Sequence, residues 1–131
     1  FKLDKVEVGT DLAKIIDIQP IYFDLSKWDI RSDAATELDK IVKVMNENPE
    51  MIIELGSHTD CRGSDSFNLN LSDKRAKSSA EYIISKGIDQ SKISGKGFGE
   101  KKLINKCDDG IQCSEEEHQI NRRTEFIIVT M

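Results

Sequence analysis

Apolar positions along this chain change their spacing from segment to segment, and the spacing sets the expected elements. Between Leu12 and Ile18 the apolar residues crowd together, with Ile15, Ile16 and Ile18, and Pro20 follows. That run predicts a short first strand. Ile21-Tyr22-Phe23-Asp24-Leu25 carries on as extended chain into a loop near Ser26 and Lys27. Ser32 or Asp33 then offers a helix N-cap. Beyond it Ala34, Leu38, Ile41, Val42 and Met45 form one apolar stripe at helical spacing, and Asn48-Pro49 ends the pattern. A stripe of this kind packs against a sheet.

Met51-Ile52-Ile53-Glu54-Leu55 is short and rich in β-formers, which predicts a buried strand. Gly56 to Gly63 reads as a polar loop. Ser64 or Asp65 can cap a long second helix reaching about Lys86, with Gly87 at the position of a left-handed C-cap. Phe67, Leu71, Ala76, Ala80, Ile83 and Ile84 are its inward candidates. A third, glycine-rich strand lies within Ile88 to Gly99. Glu115-Glu116-Glu117 suits the first turn of a short helix, where negative charge meets the helix dipole. Glu125-Phe126-Ile127-Ile128-Val129 closes the chain as a strand. The predicted class is therefore an α/β two-layer sandwich, a mixed sheet of βαβαβ type with helices packed on one face.

Length and composition narrow the function classes. A chain of 131 residues suits one domain, and no repeat or linker-like stretch divides it. Hydrophobic residues at 37%, charged residues at 33% and only 2 prolines exclude a disordered or collagen-like chain. With 24 acidic against 19 basic residues the net charge is −5, a poor basis for nonspecific nucleic-acid binding. No apolar run approaches the roughly 20 residues of a membrane-spanning helix. The opening Phe1-Lys2-Leu3-Asp4 has no signal-peptide pattern, so the expectation is an excised piece or a processed product.

Candidate chemistry gathers at a few places. Cys107 and Cys113 flank a polar loop containing Gly110, a spacing compatible with a local disulfide and equally with two unrelated loop thiols. A disulfide would imply an oxidising compartment such as the periplasm. Cys61 is the odd cysteine, in a polar loop. His58, Asp60 and Cys61 crowd one loop, but no second ligand pair completes a zinc site, so no metal is expected. Cys61 and His58 sit awkwardly as a nucleophile and base, and no oxyanion hole is recognisable. Gly95-Lys96-Gly97-Phe98-Gly99 lacks the spacing and following helix of a dinucleotide loop. Asp60 after the strand and Arg75 on the following helix can face one cleft. A carboxylate that takes an ammonium, beside a guanidinium that takes a carboxylate, would grip a zwitterion. The simpler alternative is an ion pair tying loop to helix.

Five segments, in order, carry a family likeness: Tyr22-Phe23-Asp24; His58-Thr59-Asp60-Cys61-Arg62-Gly63; Phe67-Asn68-Leu69-Asn70-Leu71-Ser72-Asp73-Lys74-Arg75-Ala76; Gly97-Phe98-Gly99-Glu100; and Asn121-Arg122-Arg123. Together they closely resemble the OmpA-like C-terminal domain, the peptidoglycan-binding module of outer-membrane porins, peptidoglycan-associated lipoproteins and flagellar stator proteins. The resemblance covers about residues 16–131, leaving 1–15 as an N-terminal extension or first strand of a single domain. It implies a noncatalytic anchor in the periplasm, associated with the outer membrane, with no cofactor. The implied ligand is the diaminopimelate of the peptidoglycan stem peptide, and other domains of a larger envelope protein are implied partners. Asp60 matches the ammonium-binding aspartate and Arg75 the carboxylate-binding arginine. Phe23, Asp24 and Leu25 match a loop lining the same cleft, largely through backbone donors. Thr59 and Asn68 match nearby polar positions, and Arg122 the first arginine of the Asn-Arg-Arg motif, with Arg123 structural. Ser57, Phe67 and Leu103 depart from the commoner glycine, tyrosine and proline. The Cys107–Cys113 insert falls where some members carry disulfides. An envelope interaction module without a wall ligand is the alternative function.

Overall fold

The computed structural model describes residues 7–24, 26–60, 64–99, 107 and 112–130. Among these, three strands form one mixed sheet. β1 (Ile52–His58) is central, parallel to β2 (Ile93–Gly99) and antiparallel to β3 (Arg123–Thr130). α1 (Ser32–Glu47) precedes β1, α2 (Asp65–Ser85) joins β1 to β2, and α3 (Glu115–Asn121) precedes β3. The predicted two-layer α/β class is the observed one.

The stripe on α1 does what its spacing dictates: Ala34, Leu38, Ile41 and Met45 are buried against Ile53, Leu55, Phe126 and Ile128 of the sheet. Burying such side chains is worth about 1.5–3 kcal/mol each, which holds the layers together. Ser64 caps α2, accepting from the Phe67 backbone N–H at 3.2 Å, and Gly87 follows the helix at φ +103°. α2 lies unusually close to β2. A Cβ on Gly97 would fall 2.1 Å from the Asp73 backbone nitrogen, and one on Gly95 2.4 Å from the Ala76 carbonyl oxygen. Only glycine fits at these two positions, and this is what the glycine-rich run is for.

Four expectations are corrected. Leu12–Lys14 forms a 3₁₀ turn rather than a strand, with only an isolated bridge between Asp11 and Ile127. Its apolar residues do not alternate: Leu12 is fully buried while Ile15 is exposed, and the Asp11 carboxylate caps the turn through the Ala13 N–H at 3.1 Å. α1 has Arg31 as its N-cap, without a side-chain cap bond, so Ser32 and Asp33 lie inside the helix. β1 runs on through Gly56 to His58, because pairing with both neighbours continues over the first three residues of the expected loop. Phe67, expected inward, is 49% exposed in the first turn of α2.

Candidate functional site

β1 and β2 run side by side and end together, where the Thr59 N–H donates to the Gly99 carbonyl at 2.9 Å. Clefts beyond the carboxyl ends of parallel strands are where open α/β sheets place ligands. Burial along β1 alternates at first and then becomes continuous from Leu55 to His58, so its end forms the floor of such a cleft. The cleft measures about 710 Å³. Phe23, Thr59, Asp60, Asn68, Arg75 and Arg122 all line it, which gathers six of the eight residues singled out from the sequence. Asp24 contributes its backbone from just outside, and Leu25 lies outside the described residues.

Asp60 is only 5% exposed. Its Oδ2 accepts from Arg122 Nη1 at 2.5 Å, while Arg122 Nη2 reaches Glu115 Oε1 on α3. Its main-chain carbonyl accepts from the Thr59 hydroxyl and the Asn68 amide at 3.0 and 3.3 Å, which fixes the loop against the start of α2. The simple alternative of an Asp60–Arg75 pair is not formed.

Arg75 is placed differently. Its Nε donates to the Lys27 carbonyl at 2.9 Å and its Nη2 to the Asp24 carbonyl at 3.2 Å. Its guanidinium lies 4.9 Å from the Phe23 ring centre. Among the described residues no carboxylate pairs with it. Burial first, and then the neighbouring positive Arg122, hold its pKa below the usual guanidinium value. A guanidinium stays charged regardless, so among the described residues the cleft holds a cation without a carboxylate partner, beside a carboxylate already holding one. Within the 23–25 loop, the Asp24 carbonyl helps to aim Arg75.

Other neighbours complete the cleft. His58 is buried at the cleft floor, stacked on Phe98 at 4.9 Å, with Nε2 2.7 Å from Glu125 Oε1. Glu115, Arg31 and Ser26 line the cleft from segments whose approach depends on the fold. Arg123 lines it too, but its side chain turns to the Asn121 carbonyl and to Glu125, in keeping with a structural part. Cys61 lies outside the described residues. The sulfurs of Cys107 and Cys113 are bonded, with Cα atoms 6.0 Å apart. Glu117 lies within metal-sharing distance of both, but sulfurs spent on each other are not thiolate ligands.

Comparison with known proteins agrees with this geometry. Residues 22–116 match the profile of the OmpA family. The chain is 32% identical over 93 residues to the peptidoglycan-associated lipoprotein of Mesorhizobium japonicum, a match covering 71% of the chain and 55% of that protein. It is 34% identical over 112 residues to photosystem I P700 chlorophyll a apoprotein A2 of Gloeobacter violaceus, covering 84% of the chain but 13% of that protein. The chain thus spans at most about half the length of these relatives. In fold it is similar to the C-terminal domain of Helicobacter pylori MotB, with a TM-score of 0.72 at 22% identity, covering 87% of the chain and 86% of that domain. The sheet order, the cleft and the profile match over most of its length lead to one assignment: the chain belongs to the OmpA family.

Proposed function

We propose that this domain is a noncatalytic anchor that binds peptidoglycan by gripping the diaminopimelate of the stem peptide. The observation that carries the reading is Arg75: a guanidinium lodged in a cleft, aimed by two backbone carbonyls, with no carboxylate partner among the described residues. Such a group is a ready receptor for a ligand carboxylate in bidentate geometry. Asp60, across the same cleft, already holds the Arg122 cation on one oxygen, which supports an ammonium-binding role. Diaminopimelate ends in ammonium and carboxylate on one carbon, the charge pair this arrangement complements. Thr59, Asn68 and Phe23 hold the two charged groups in place, and Arg122 is the cation that shares Asp60 with the ligand. The likeness to peptidoglycan-associated lipoproteins supports the wall as the source of that ligand, and a periplasmic location at the outer membrane. The bonded Cys107–Cys113 pair fits an oxidising compartment.

One clamp on one side chain gives modest affinity. Repeated sites on the wall mesh convert it into retention through effective concentration. The test is co-sedimentation with insoluble peptidoglycan of the diaminopimelate type. Arg75→Ala and Asp60→Asn should each stay in the supernatant while keeping the wild-type circular dichroism. Lysine-type wall, which lacks the second carboxylate, should pellet less of the wild type. Undiminished pelleting of both folded variants would favour an interaction module without a wall ligand.

A further inference from the structure

The outer edge of β3 is covered along only part of its length. The Phe126 N–H donates to Asp11 Oδ1 at 2.9 Å, the Ile128 N–H to the Thr10 carbonyl at 3.0 Å, and the Gly9 N–H to the Ile128 carbonyl at 2.7 Å. In an antiparallel strand, alternate residues turn their N–H and C=O to opposite sides. Phe126 and Ile128 face outward, so Thr124, paired with Ser57 across β1, does too. Among the described residues nothing pairs with those outward groups of Thr124. Unpaired edge groups are a template for an added strand.

Thr124 lines a groove of about 280 Å³ between β3 and the stretch Ile18–Tyr22. Ile18, Pro20 and Ile21 make its far wall. The groove opens into the cleft already described, for Ile21, Tyr22, Arg122, Arg123 and Thr124 line both. Among the described residues no acidic one lines the groove, and two arginines do, each already paired, Arg122 with Asp60 and Glu115 and Arg123 with Glu125. Its shape and its outward main-chain donor and acceptor suit an extended peptide.

We infer that this groove binds the main chain of the stem peptide adjoining diaminopimelate, as a short strand added to β3, with Thr124 exchanging main-chain hydrogen bonds. The inference rests on the diaminopimelate reading above and extends it from one side chain to the peptide that bears it. Strand addition draws its affinity from such backbone bonds. Continuity argues for this occupant: on the diaminopimelate reading the peptide bonds lie one side-chain length from the clamped head, and Arg122, which holds Asp60, lines the groove too.

The test compares free meso-diaminopimelate with the tripeptide L-Ala-γ-D-Glu-meso-diaminopimelate by calorimetry, on the wild type and on Thr124→Pro. Proline removes the outward N–H and is tolerated on an edge strand. Wild type should bind the tripeptide more tightly than the free amino acid. Thr124→Pro should lower the ratio of tripeptide to free-amino-acid affinity about five-fold, the worth of one net hydrogen bond. Amide exchange on the wild type is the second measurement, independent of any variant. The tripeptide should slow the Thr124 N–H, and free diaminopimelate should not. If both ligands bind and the Thr124 N–H exchanges alike with either, the groove proposal is overturned and the clamp stands. If neither ligand binds, the clamp fails and the groove proposal falls with it.

Discussion

Arg75 is held by oxygens that carry no formal charge, and this sets what a substitution there would do. Lysine keeps the positive charge but loses the planar fork that meets two carbonyls and a ligand carboxylate together. Arg75→Lys should therefore weaken free diaminopimelate binding about ten-fold by calorimetry, the scale of one charge-assisted bond, with the thermal midpoint almost unmoved. A second residue contributes to acid stability. Glu37 accepts from Lys40 Nζ at 2.8 Å and from the Gln19 N–H at 2.7 Å; these bonds, Lys40's first, hold its pKa below the ordinary glutamate value. A depressed carboxylate stabilises the fold above the unfolded pKa of about 4.3 and ceases to as pH falls through the lower folded value. Glu37→Gln should thus shrink the loss of urea resistance between neutral and acid pH. At this scale sequence pointed to Asp60 and Arg75 because the segments around them follow a known order. It gave no sign of Arg122 on Asp60, because 62 residues separate the two and only the fold brings them together.

Elements show the same division between local pattern and tertiary contact. α1 and β3 could be read because their periods are local, and α2 because Ser64 and Gly87 mark its ends. Leu12–Lys14 could not, since a short apolar cluster has no period and its conformation is settled by Asp11 and by the edge of β3. Phe67 shares the helical spacing of the core residues but lies in the first turn of α2, where it lines the cleft instead. The glycines of β2 give the sharpest test at this level. Gly97→Ala puts a methyl group against α2 backbone, which cannot swing aside as a flexible side chain would. Its cost should approach about 3 kcal/mol, the upper range for overpacking, as read from the urea midpoint. Ser64→Ala, which only removes a cap, should cost about 1 kcal/mol.

Across the whole molecule, the Cys107–Cys113 bridge closes a loop of six-residue separation. On the chain-entropy argument its reduction should cost about 2 kcal/mol, seen as a lower thermal midpoint in dithiothreitol. Denatured, unreduced protein should show one reactive thiol of the three cysteines, and three would refute the pairing. Length and order give the expectation of one domain, whereas the cleft needed the assembled sheet, because its walls come from residues 21 to 124. The stitching of Gly9, Thr10 and Asp11 onto β3 bears on mechanics. These residues lie toward the Ile128 end of the strand, and the cleft lies at its Arg123 end. Tension applied at residue 9 against a ligand fixed in the cleft would run lengthwise along β3. The three bonds would then bear the pull in shear, jointly, instead of peeling apart in turn, which is the stronger way to hang a load from a wall.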